Sequence, residues 1–180
     1  MQLRTTVLAV ALIATLACGD DAPGGPSLEG PSYLDATLDG QAWVPDTVTG
    51  IMYGTSPDSG NLAIIAGKFE GARQEALIVS VPFPQRGDVA LGHFTKAGNG
   101  VYQVIPDTAV LARPFLTYTS RDEYPGRLTV AQLSLGDSVA TGRFSFQAAS
   151  SPDTTAHRAV TGSFRVRYRF QQIYTLDDAP

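Results

Sequence analysis

The chain holds a single cysteine, two histidines, two methionines and one tryptophan in 180 residues, and only 17% of it is charged. One cysteine permits neither an intrachain disulfide nor a thiolate zinc site, so packing alone has to hold the fold. The histidines, His93 and His157, are far apart and neither belongs to a His-Glu-x-x-His pair. Such isolated histidines are ordinary surface or rim residues more often than metal ligands, and no metal site is expected. Also missing are a Gly-x-Ser-x-Gly elbow, a glycine-rich phosphate loop and a calcium loop with regularly spaced acids, so the chain is read as non-enzymatic and without a cofactor. A net charge of −4 argues against a nucleic-acid partner.

No apolar stripe at i, i+3, i+4, i+7 persists long enough to demand a packed helix. What is present instead is period-two alternation, broken often by Gly, Pro, Asn and Asp. Strands are predicted near Tyr33–Leu38, Gln41–Val44, Thr47–Tyr53, Asn61–Phe69, Glu75–Val81, Val89–Thr95, Val101–Ile105, Phe115–Thr119, Arg127–Leu135, Ser138–Gln147 and Arg158–Phe170. Asp39-Gly40 is a strong hairpin signal, because a type I′ turn needs positive φ at both central residues. A second turn is expected at Gly136-Asp137. The fold class is therefore all-β, a mostly antiparallel β-sandwich, with an open barrel as the alternative.

Acids are scattered rather than paired. Asp39, Asp58, Asp88, Asp137 and Asp153 sit beside Gly, Pro or Ser and read as turn-closing residues. Asp107-Thr108-Ala109 has alanine where the active loop of an aspartic protease requires glycine, which leaves an Asp-capped turn. An acid pair assembled in space, of the glycosidase kind, is not addressed by sequence.

The N-terminus carries the clearest address. Arg4 precedes an apolar run from Val7 to Ala17, and Thr15-Leu16-Ala17-Cys18 follows. The run is shorter than the roughly 20 residues a membrane span needs. It resembles a bacterial lipoprotein signal with a lipobox, which implies cleavage before Cys18 and acylation there by chains such as palmitate. Two or three acyl chains, at about 0.8 kcal/mol per buried methylene, make a stable anchor. The organisation expected is a signal peptide over 1–17, a flexible Gly/Pro/Asp-rich tether over 18–31, one β domain over 32–175 and a tail over 176–180. The protein is then exported and lipid-anchored, at the cell membrane or the outer membrane.

Two phrases repeat near the C-terminus: Ala140-Thr141-Gly142-Arg143-Phe144-Ser145-Phe146 and Val160-Thr161-Gly162-Ser163-Phe164-Arg165-Val166. With Asp39-Gly40-x-x-Trp43 and Gly126–Val130, they resemble uncharacterised bacterial lipoprotein domains of unknown function over about Tyr33 to Tyr168. That resemblance implies a β-rich, surface-attached domain and supplies no catalytic residues.

Two surfaces are candidates for binding. Along the last strand, Arg165, Arg167 and Arg169 alternate with Phe164, Val166, Tyr168 and Phe170, and Arg143 joins them if the preceding strand pairs alongside. Arginine forks suit carboxylate, sulfate or phosphate, so this is either a face for an acidic polysaccharide or envelope component, or a solvated sheet face that discourages edge aggregation. Tyr124, in Tyr124-Pro125-Gly126, is expected as a free ring for contact with a sugar, whereas Trp43 is read as a core residue. The rival function is a structural or assembly subunit that pairs with a partner protein.

Overall fold

The computed structural model describes residues 28–56, 60–82, 86–92, 98–106, 116–124, 126–151 and 155–172. Cys18, the signal segment, most of the tether, the tail, His93, Asp58, Asp107 and Asp153 lie outside them.

The described chain is all-β: β1 Tyr33–Leu38, β2 Gln41–Trp43, β3 Thr47–Gly54, β4 Asn61–Glu70, β5 Arg73–Pro82, β6 Gly87–Leu91, β7 Asn99–Ile105, β8 Leu116–Ser120, β9 Gly126–Ser134, β10 Val139–Ser151 and β11 His157–Gln172. They form one eleven-stranded sheet in the order β2-β1-β11-β3-β4-β5-β7-β8-β10-β9-β6, with β11 also paired to β10. Every pairing between these strands is antiparallel except that of β11 with β3. The two longest strands, β10 with 13 residues and β11 with 16, form the spine. Each changes neighbour along its length. β11 lies beside β1 from Val160 to Arg165 and beside β3 from Tyr168 onward, while β10 lies beside β9 up to Ser145 and beside β8 from Ala148. The sheet thus bends into two leaves, β2-β1-β11-β10-β9-β6 and β3-β4-β5-β7-β8, joined at the corners where β10 and β11 switch partners.

Alternation decides which side faces in. Leu34 and Ala36, Leu77 and Val79, Phe144 and Phe146, and Phe164 and Val166 all join one apolar core between the leaves, and residues of opposite parity face outward. Trp43 is 3% exposed and belongs to this core, as its sequence position suggested.

Turn chemistry follows the expected logic with one change. The β1–β2 hairpin has Asp39 at φ 51° and Gly40 at φ 78°, the type I′ pair. In the β9–β10 turn the positive φ falls on Ser138, at 54°, and not on Gly136. Asp88 also departs from expectation. It lies within β6 opposite Thr129, not in a turn, and uses its carboxylate across the strands.

Candidate functional site

The spine strands carry a ladder of polar residues on their outer side. Register fixes the rungs: Thr37, Thr161, Ser145 and Arg127 stand side by side on β1, β11, β10 and β9, and Asp35, Ser163, Arg143 and Thr129 form the next rung. Over these strands lies a hollow of about 680 Å³ lined by both rungs and bordered by Ala42 and Val44. A second hollow of about 370 Å³ is lined by Tyr124, Ser145, Phe146, Gln147, Ala159 and Thr161. Because Ser145 and Thr161 line both, the two form one groove running along the strands.

Its polar groups are held by the sheet. Thr37 and Thr161 share a hydrogen bond between their hydroxyls at 2.8 Å. On the far side, Asp88 accepts from Arg127 Nη1 at 3.0 Å and from Thr129 Oγ1 at 2.6 Å, fixing both over the groove wall. At the other end Tyr124 packs edge-on to His157, ring centroids 4.7 Å apart. Hydroxyls, the guanidinium groups of Arg127 and Arg143, the single carboxylate of Asp35 and one aromatic ring line the groove, a set with more cationic than anionic groups that suits a chain of hydroxyl groups bearing anionic substituents.

The arginines expected on one face are divided by the structure. Arg143 lines the groove, and Arg167 and Arg169 are exposed farther along β11, where the strand leaves β10 for β3. Arg165 corrects the expectation of a solvent-facing side chain: it is 1% exposed. The residues Leu28 to Ser32 run over it, with Leu28 O accepting from Arg165 Nη2 and Ser32 Oγ accepting from the Arg167 N–H. A segment expected as tether thus docks on the strand. Phe170, expected on the core face, is 37% exposed because β11 passes the end of the core there. Arg127 was not singled out from sequence. Its strand alternation was legible, but only the β9–β10 register places it opposite Ser145.

A second polar cluster lies between the leaves. Glu75, 8% exposed on the inner side of β5, accepts from Trp43 Nε1 at 2.6 Å and from Arg73 Nε at 2.8 Å, and also bonds Tyr102. Burial pushes the Glu75 carboxyl up, but these hydrogen bonds and the Arg73 charge outweigh it and leave the group below its ordinary value. Burial, then the bond to Glu75, holds the Tyr102 phenol well above its ordinary value. Both carboxylate oxygens are occupied, so the cluster serves to seat Trp43 across the core. Among the described residues, no three His, Cys, Asp or Glu side chains are grouped to hold a metal ion.

No family model matches the chain, and neither a curated protein nor a solved structure matches it.

Proposed function

We propose that this is a lipid-anchored envelope protein, tethered through Cys18, whose β domain binds an acidic glycan in the outer groove of β1, β9, β10 and β11 without chemically changing it. One observation carries the reading. The two adjoining hollows share Ser145 and Thr161, and so bring the Tyr124 ring, a row of hydroxyls and the guanidinium groups of Arg127 and Arg143 onto a single track. Successive same-face residues on a strand are about 6.8 Å apart, so the rungs offer polar contacts at intervals an extended polysaccharide can follow. Exposed Arg167 and Arg169 add positive potential at the end of the same spine.

The test is binding of the full chain in detergent micelles to acidic and neutral polysaccharides at low and moderate salt. Acidic glycans bind, and binding weakens with salt because exposed charges are screened beyond about 8 Å at 0.15 M. Arg127→Ser with Arg143→Ser lowers affinity about tenfold or more, and Tyr124→Ala lowers it less and without changing the salt slope. Salt-independent binding to another protein, untouched by these changes, would instead favour the assembly-subunit role.

A further inference from the structure

One rung beyond the groove, the outer face holds a group of polar atoms that the fold leaves unsatisfied. Gln132 on β9, Thr141 on β10 and Arg165 on β11 are direct cross-strand neighbours. Gln132 Oε1, Thr141 Oγ1, Arg165 Nε and Arg165 Nη1 are all buried and without a hydrogen-bond partner. Thr141 is 0% exposed and Arg165 is 1% exposed. Arg165 Nη2 donates to the Leu28 carbonyl, whereas its other two nitrogens have no hydrogen-bond partner. Guanidinium is charged at every ordinary pH, and burying its N–H donors unpaired is costly. Native folds rarely leave such a group unpaired unless something else completes it.

We infer that Gln132, Thr141 and Arg165 form a covered oxyanion site, filled by the carboxylate of an acidic sugar whose remaining units lie in the groove; the sugar identity rests on the glycan reading above. The chemistry selects this class. One of the two unpaired Arg165 N–H groups, which lie on opposite sides of the side chain, and the Thr141 hydroxyl supply donors for the carboxylate, while the other N–H and the acceptor Gln132 Oε1 take neighbouring sugar hydroxyls. Thr141 and Arg143 are two apart on the same face of β10, so a chain passing Arg143 arrives at this rung next. The cover is light. Leu28 to Ser32 is held over the site by the bond to Arg165 Nη2 and by the Ser32 bond to the Arg167 amide. Lifting that strap opens the site, so entry of the carboxylate is coupled to release of the tether's end from β11.

The probe is the Arg165 side-chain Nε–H resonance of the full chain, followed by NMR while glucuronate, acetate, sulfate or glucose is added. Glucuronate shifts that signal saturably, acetate and sulfate do so more weakly, and glucose does not. Gln132→Leu weakens glucuronate about tenfold and leaves acetate unchanged, Thr141→Val weakens both, and Ser32→Ala, by loosening the strap, tightens both. A signal that stays still with every anion up to tens of millimolar, in a chain whose amide spectrum is that of the folded protein, overturns the site and leaves ordered water as its occupant. A shift on Asp20→Asn with Asp21→Asn and no added anion overturns it too, because the chain's own tether would then be the occupant. Polysaccharide binding that depends on Arg143 while the Arg165 signal stays still sinks this site alone. A moving Arg165 signal with no polysaccharide bound sinks the groove reading alone.

Discussion

Phe144 lies directly opposite Gly162, and its ring occupies the space where a side chain at that glycine would be; an added Cβ would come within 2.5 Å of Phe144 Cζ. The reciprocal pair is Phe164 with Gly142, whose Cβ would meet the Phe164 ring at 2.7 Å. The repeated Thr-Gly-x-Phe phrases are thus two antiparallel strands, each presenting a glycine to receive the other's phenylalanine. Gly162→Ala is expected to destabilise by about 1–3 kcal/mol through overpacking. Equilibrium denaturation measures it, with the midpoint falling and the slope unchanged. Phe144→Leu in the same chain is expected to recover only part of the loss, because it relieves the collision with the ring but not that with the Asp35 carbonyl oxygen, which also lies 2.5 Å from the added Cβ. Purely additive losses would mean that the two residues do not share this space.

Asp39 ties the first hairpin to β11. Its Oδ2 accepts from Arg158 Nη1 at 2.5 Å, its Oδ1 accepts from the Ala159 N–H at 2.8 Å, and its own N–H donates to the Ala159 carbonyl. The bonds from Arg158 and Ala159 hold its carboxyl below the ordinary value. The side chain is 40% exposed, so screening keeps the ion pair itself to a fraction of a kcal/mol, up to about 1. Asp39→Asn keeps a residue that tolerates positive φ and retains one acceptor, and is expected to cost under about 1 kcal/mol. Asp39→Ala loses both and is expected to cost about 1–2 kcal/mol. Thermal melts of the two variants separate turn conformation from charge.

The strand inventory was legible in the sequence because outward and inward residues alternate cleanly and turn residues punctuate them; all eleven strands start within two residues of their predicted positions. Pairing was not legible, since any two alternating strands satisfy period two. That is why nothing in the sequence marks Arg127 for the groove, while alternation alone puts Arg165 in solvent. Local alternation puts Arg165 on the outer face correctly, but the cover over it comes from Leu28 to Ser32, a segment whose Gly and Pro content gave no sign of docking. Tyr124 and Arg143 were singled out separately, and only the β10–β11 register brings their hollows together.

Glu75 and Tyr102 make stability depend on pH in opposite directions. The Glu75 pKa is depressed in the fold, so its contribution is present above the unfolded value of about 4.3 and is lost as pH falls through the lower folded value. The Tyr102 pKa is raised, so its contribution is present below the unfolded value of about 10 and is lost as pH rises toward the folded one. Glu75→Gln is expected to cost about 1–3 kcal/mol near neutrality, because Arg73 loses its partner and the acceptors of Trp43 and Tyr102 weaken. The difference in stability between the two proteins should shrink as pH falls below about 4. A difference that stays constant from neutrality to pH 3 would remove the carboxylate from the acid response.

Asp88 sets how much positive charge the groove shows. It engages Arg127 and Thr129 together, and both partners of the ion pair are more than half exposed, at 69% and 51%. So exposed a bond adds little to stability, and Asp88→Asn is expected to leave the melting temperature nearly unchanged. Its effect should appear in binding. Removing the carboxylate leaves Arg127 without its counter-charge at the groove wall, raising local potential toward an anionic chain. Affinity for an acidic polysaccharide is expected to rise about two- to fivefold at low salt, with the advantage gone at molar salt, where the screening length is about 3 Å. A neutral polysaccharide should not respond at any salt. If Asp88→Asn weakens acidic-glycan binding instead, the carboxylate's service is to hold Arg127 and Thr129 in position, and geometry rather than net charge governs this wall of the groove.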